Sequence, residues 1–274
     1  MKFRIAFLLI VMGIVASSAL AQSQPSTREM NLLGWQEFGD LVPDQIETVL
    51  IPTGTLEPHG VLPNGSDNLA PEAMARDLAE RLNALIAPTL NYVVTGSLDA
   101  FPGTFSISAD AYEAFIMDLM TGLARNGFRN LVILNGHGGV QTAILQRVAQ
   151  EVGRRERVRT LVTNWWSIAS EITFEVFGED GGHAGNNESA YVQAIVPEHV
   201  HPERYAADMA TPGSSPSGWS AYPFPSSIIL YQPDQGYPDF GPVKASTYFR
   251  RVNERMAELI ESTIEKWDRA GIFR

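Results

Sequence analysis

The sequence predicts an α/β fold, a layered α/β/α sandwich around a mostly parallel sheet. Three observations carry this. Short apolar runs alternate with longer amphipathic stretches along almost the whole chain. The apolar runs are continuous, as strands buried on both faces require. The stretches between them are long enough for crossover helices, which parallel strands need. A chain of 274 residues, 45% hydrophobic and 19% charged, is ordinary for a globular protein and long enough for a sizeable core. It shows no internal repeat and no composition break, so residues 22–274 read as a single domain.

The elements follow in order. Thr48-Val49-Leu50-Ile51 is a buried-strand signal, stopped by Pro52 and Gly54. Residues 70–87 place Ala70, Met74, Leu78, Leu82 and Leu85 at helical spacing, with Pro71 near the start. Tyr92-Val93-Val94 reads as a second strand ended by Gly96, and 110–126 as a helix with Gly127 just beyond it. Leu131-Val132-Ile133-Leu134 is a third strand that runs into Asn135-Gly136-His137-Gly138-Gly139, followed by a helix over 140–152. Thr160-Leu161-Val162 is a fourth strand and 186–196 a shorter helix. Residues 211–242, rich in Pro, Gly, Ser and aromatics, predict a long irregular segment, and 244–268 a closing helix.

Residues 1–21 read as a cleavable secretory signal peptide. Lys2 and Arg4 precede the apolar run Ile5 to Val15, and Ala19-Leu20-Ala21 supplies a cleavage site before Gln22. The run is short for a stable membrane span, so no membrane association is expected after cleavage. Cleavage removes two of the 20 Lys+Arg and none of the 31 Asp+Glu, moving the formal net charge from −11 to −13. So acidic a chain is not expected to bind nucleic acid. With no cysteine there is no disulfide, thiolate ligand or cysteine nucleophile. Export without cysteine points to a bacterial periplasmic or secreted protein.

The chemistry concentrates in Gly-rich turns. In an open parallel sheet, ligands sit beyond the carboxyl ends of the strands. The first strand leads to Gly54-Thr55-Leu56-Glu57-Pro58-His59-Gly60 and then Pro63-Asn64-Gly65-Ser66-Asp67; the third leads to His137. A later loop reads Gly182-His183-Ala184-Gly185-Asn186-Asn187-Glu188-Ser189. Three of the five histidines lie in these turns, two of them accompanied by carboxylates. Imidazole and carboxylate together suit Zn, Mn, Fe or Co. Singly, each residue reads as a hydrogen-bonding or turn-forming loop residue rather than a ligand; together they point to a site, because all sit at the same predicted sheet edge. His199 and His201 flank a Pro/Glu-rich stretch with no such turn and read as surface loop. P-loop, H-E-x-x-H and G-x-S-x-G motifs are absent, and Gln141 occupies the third glycine position of a dinucleotide turn. Asn64-Gly65-Ser66 and Asn187-Glu188-Ser189 match the glycosylation pattern by chance.

These turns, together with Phe101-Pro102-Gly103-Thr104 and the Gly-x-Pro at 236–238, resemble the creatininase (creatinine amidohydrolase) family over roughly residues 45–265. The resemblance implies a creatininase-like α/β fold and a two-metal site that hydrolyses a non-peptide, cyclic or linear amide C–N bond. Glu57, Asp67 and His137 would hold one metal, and His59, Asp67 and Glu188 the second, with Asp67 bridging. His183 matches the family histidine near substrate, a candidate catalytic proton donor or acceptor. Zn is the first choice of metal, with Mn or Fe as alternatives. The substrate would be a small-molecule amide and the assembly a homo-oligomer. The segment between His59 and Asp67 is one residue shorter than the family pattern, and Val140 replaces the asparagine that often follows His-Gly-Gly. Creatinine-cleaving members carry Tyr and Glu where this chain has Gly138 and Gly139, so side chains that would contact creatinine and help bind metal are missing.

The mechanism implied is attack by a hydroxide held between two divalent ions, with His183 protonating the leaving nitrogen. A purely structural His183 is the other reading. Asp180 would orient His183, line the pocket or cap its loop. Trp165, Trp166, Trp219, Tyr222 and Phe224 would wall the pocket or pack the core. A metallopeptidase or deformylase on the same site, and a non-catalytic metal- or ligand-binding protein, are the alternative functions.

Overall fold

The computed structural model describes residues 24–212, 218–230 and 241–273. The signal-peptide reading and the Gly-x-Pro at 236–238 fall outside the described residues. Four parallel strands form the central sheet: β1 (Thr48–Thr53), β2 (Ala84–Ile86), β3 (Asn130–Asn135) and β4 (Arg159–Asn164), in the spatial order β2-β1-β3-β4. β1 and β3 pair along their full lengths, Thr48 beside Asn130 through Thr53 beside Asn135.

Both faces of the sheet are covered, which is why its apolar runs are unbroken. Leu50, Val132 and Leu134 pack on one face against α2 (Ser66–Leu78), α7 (Asn186–Ile195) and α8 (Pro242–Arg269). Val49, Ile51, Leu131 and Ile133 pack on the other against α1 (Trp35–Leu41), α3 (Ala109–Arg125) and α4 (Val140–Glu156). Neighbouring residues of one strand thus serve opposite cores, the period-2 geometry of a pleated strand. In α8, Ala245, Tyr248, Val252, Met256 and Ile260 form the buried stripe.

The structure corrects several expectations. The helix predicted over 70–87 begins at Ser66 and ends at Leu78; a turn follows, with Asn83 at positive φ, and Ala84–Ile86 is the edge strand β2. Leu82 and Leu85 satisfy helical spacing by coincidence. Pro52 does not stop β1. Its carbonyl accepts from Leu90 on the β2 side, where β2 has already ended, so the missing N–H costs the ladder nothing. Tyr92-Val93-Val94 joins no sheet; Val93 is buried, and that apolar run mimicked a strand. The 211–242 segment contributes a short parallel pair, β5 (Ala210–Pro212) and β6 (Ile228–Leu230). Two short helices, α5 (Trp165–Ile168) and α6 (Ser170–Phe177), follow β4.

β1 and β3 are neighbours whose following helices, α2 and α4, go to opposite faces. The chain therefore parts at the carboxyl ends of these two strands and leaves a crevice there.

Candidate metal centre

Five segments converge on that crevice. The loop after β1 carries Glu57 and His59, and the first turn of α2 carries Asp67. The turn after β3 carries His137. The loop before α7 carries His183, and the first turn of α7 carries Glu188. All six residues proposed from sequence are brought together. Asp67 Oδ1 lies 2.9 Å from His59 Nε2 and its Oδ2 2.9 Å from His137 Nδ1. Glu57 Oε1 is 3.2 Å from His137 Nδ1, and Glu188 Oε2 is 3.6 Å from His59 Nε2. Ligand-atom clusters tight enough for a cation are Glu57–Asp67–His137 and His59–Asp67–Glu188, which share Asp67. A third, Glu57–His59–His183, also meets the distance requirement.

Each imidazole is held from behind by a backbone carbonyl. His59 Nδ1 donates to Glu57 O (3.0 Å), His137 Nε2 to Val94 O (3.1 Å), and His183 Nε2 to Pro58 O (2.6 Å). A carbonyl can only accept, so these bonds assign the N–H of each ring. The other nitrogen of every ring then faces the carboxylates. Metal-ligating histidines are oriented in this way.

The approach of Asp67 depends on two glycines. A Cβ on Gly54 would lie 2.1 Å from the Asp67 carbonyl oxygen, and one on Gly136 1.9 Å from it. Pro71, four residues on, has no N–H to give that carbonyl its helical bond. The first turn of α2 can therefore rest directly on the ends of β1 and β3.

The electrostatics are those of a cation site. Glu57 and Asp67 are buried, and the ion pairs of Glu57, Asp67 and Glu188 among the described residues are with histidines. Glu57 Oε2 is buried without a hydrogen-bond partner. Buried carboxylates are costly without cationic partners; protonated imidazoles supply that charge here, and divalent cations could take their place. Burial works to lower His59, but Asp67, with Glu188 and Glu57, holds it raised to about 10. His137 is likewise raised against burial, by Glu57 and Asp67. Burial works to raise Asp67, but His59 and His137 hold it below the ordinary range. Burial raises Glu188 to about 7 despite the His59 charge. Burial, then the neighbouring His59, lowers His183 to about 4, so its imidazole is neutral near neutral pH.

A cavity of about 580 Å³ opens above the cluster, lined by Glu57, His137, His183 and Glu188 and walled in part by Leu98, Trp166 and Ile229. Of the aromatics singled out in the sequence, Trp166 lines the cavity; Trp165 is buried in the core, and Trp219 stacks on Phe224. Asp180 lines the cavity and caps its own loop, accepting from Ser170 Oγ and Gly181 N. The group bonded to His183 is the Pro58 carbonyl instead. His199 and His201 are exposed beside Glu198 and Glu203.

The sequence reading missed Asn135. Its Nδ2 donates to His137 O (2.7 Å) and Asn164 Oδ1 (2.8 Å), and its Oδ1 accepts from His137 N (3.2 Å) and Gln141 Nε2. It pins the His137 turn between β3, β4 and α4. A polar residue ending an apolar strand just before Gly-His was the available signal.

The family model for creatininase (creatinine amidohydrolase) matches residues 31–260. A creatinine amidohydrolase of Pseudomonas putida is 29% identical over 193 residues, 63% of this chain and 73% of that protein. A mycofactocin precursor peptide peptidase of Mycobacterium ulcerans is 31% identical over 181 residues, 62% of this chain and 67% of that protein. The crystal structure of a creatininase superposes with a TM-score of 0.74 at 23% identity, covering 87% of this chain and 98% of that one. Similar solved creatininases include a Zn–Zn form and a Mn form. The fold is creatininase-like, the clustered donors suit a divalent metal, and the chain belongs to the creatininase family of hydrolases.

Proposed function

We propose that this protein is an exported amidohydrolase that uses two divalent ions, Zn first among them, to cleave the C–N bond of a small-molecule amide outside peptide linkage. The observation that carries the reading is the arrangement of Asp67, whose two oxygens face two different imidazoles, each held from behind by a backbone carbonyl. Glu57, Asp67 and His137 would hold one ion; His59, Asp67 and Glu188 would hold the other. When bound, such ions supply an acidified water and polarise the amide carbonyl.

The chain's own residues do the rest. Glu57, His59 and Asp67 form a buried floor that keeps bulk water from beneath the reacting amide. His183 is neutral, its Nε2–H is committed to Pro58, and its Nδ1 lies 3.6 Å from Glu57 Oε1. That nitrogen can accept a proton and deliver it to the leaving amine. Family membership and the similarity to a creatinine amidohydrolase support small-molecule amides as substrates. The similarity to a peptide peptidase favours a second reading, in which the scissile bond is a peptide amide. Assembly as a homo-oligomer belongs to the same proposal.

Elemental analysis of the purified mature chain, joined to a screen of cyclic, linear and peptide amides, tests it. About two divalent ions per chain and chelator-sensitive release of amine are expected. Cleavage of peptides alone would move the reading to a peptidase. A metal-loaded protein inert toward the whole panel would move it to a binding protein.

A further inference from the structure

The cavity has unfilled space on one side and an uneven charge. A Cβ on Gly138 would meet only Trp166 Cζ2, at 3.8 Å, and one on Gly139 would meet nothing within 4 Å. The turn after His137 therefore leaves an open shelf. Val140, 56% exposed, and the half-buried Trp166 line the same cavity and give the shelf apolar company. Its charged lining residues other than histidine are Glu57, Asp67, Asp180 and Glu188, with no Lys or Arg among the described residues. The sequence from 205 to 243 also contains neither. Glu57, Asp67 and Glu188 belong to the metal centre. Asp180, exposed on the loop before α7, is the acid left over, and it would repel an anionic substituent.

We infer that the shelf formed by Gly138 and Gly139 beside Trp166 is a specificity subsite for a ring-sized, apolar, non-anionic substituent of the amide substrate. The inference rests on the amidohydrolase reading for its chemistry, but not for its geometry. A pocket of about 580 Å³ leaves much room around a small amide. A substituent lying over the two glycines would displace water from Trp166 and fix the amide over the centre.

The test uses the full mature chain loaded with Zn²⁺ and three primary amides: acetamide, phenylacetamide and 4-carboxyphenylacetamide. Ammonia release gives kcat/KM, and tryptophan fluorescence gives binding, with Trp166→Phe as the spectroscopic control. Phenylacetamide is expected to exceed acetamide by about tenfold or more, and the carboxylated ring to lose that gain. Gly138 has no positive φ, so a side chain can be added there without backbone strain. Gly138→Leu is expected to lower the phenylacetamide-to-acetamide ratio about tenfold and abolish the Trp166-dependent quench. Asp180→Asn is expected to raise activity on the carboxylated ring specifically. Equal rates for acetamide and phenylacetamide, or a ratio unmoved by Gly138→Leu, would overturn the subsite and leave the hydrolase reading standing. Quenching by phenylacetamide that Gly138→Leu removes, with no ammonia from these amides or amine from the wider amide screen, would support the subsite and overturn amide hydrolysis. Neither quench nor ammonia from these three amides would overturn the subsite, and inertness toward the wider amide screen as well would overturn both.

Discussion

A methyl group on Gly136 would lie 1.9 Å from the backbone carbonyl oxygen of Asp67. That contact seats the first turn of α2 on the end of β3 and brings the Asp67 carboxylate to His137. Gly136→Ala must push α2 away or shift Pro71, whose Cδ would be 3.0 Å from the new atom. A loss of about 1–3 kcal/mol in stability is expected from the overlap alone. Denaturant unfolding and metal content of the same sample read both effects. A variant with wild-type stability and metal content would show that the contact is not needed.

Asp67→Asn removes one charge from the carboxylate that faces both His59 and His137. Metal stoichiometry is expected to fall to about one ion per chain or below, because among the described residues Asp67 is the carboxylate that hydrogen-bonds both rings. Mass spectrometry of metal content decides it; unchanged stoichiometry would contradict the bridging role.

His183→Ala separates proton transfer from metal binding. The ring is oriented by Pro58 and lies against His59, centroids 4.3 Å apart and planes tilted by 34°. Metal content is expected to persist while turnover falls by about 10²–10⁴-fold. Loss of metal would instead make His183 a ligand, as the Glu57–His59–His183 cluster permits. Full activity would leave it structural.

Metal binding should compete with protons. Without metal, His59 keeps its proton up to about 10 and Glu188 up to about 7, whereas ligation needs both deprotonated. Apparent metal affinity should therefore rise with pH across this window. The raised His59 contributes stability to the metal-free fold below its ordinary value of 6.5, and that contribution is lost as pH rises through about 10. The raised Glu188 acts with the same sign, its contribution being lost from 4.5 through about 7. The difference in melting temperature between metal-loaded and chelated protein should thus widen from near neutral pH to about 10. A gap that narrowed with pH would contradict this assignment.

Export has a direct readout. Expression in a bacterium with an intact secretion system should yield a periplasmic or secreted chain beginning at Gln22, identified by intact mass. A cytoplasmic chain retaining Met1 would reject the signal-peptide reading.

The residues of the candidate centre were legible in the sequence because their chemistry is local. Glycine, histidine and carboxylate in short turns after apolar runs advertise a crowded polar site at a sheet edge, and the order of the turns resembles one family. The parallel sheet was legible for a similar reason: strands such as Leu131–Leu134 are buried on both faces and read as unbroken apolar runs. Other features lay beyond any local pattern. Leu82 and Leu85 fit a helix, yet β1 recruits Leu85 to an edge strand, since pairing with a neighbour outweighs spacing. The carbonyls of Glu57, Val94 and Pro58 that aim the three imidazoles carry no signal, because every residue has one. The space beside Gly138 exists only because Trp166, on α5 after β4, stops 3.8 Å short of where a Cβ would lie. The Gly-rich turns and the family they resemble pointed to the donors; the distances among them were set by long-range contacts, above all α2 resting on two strand ends through Gly54 and Gly136.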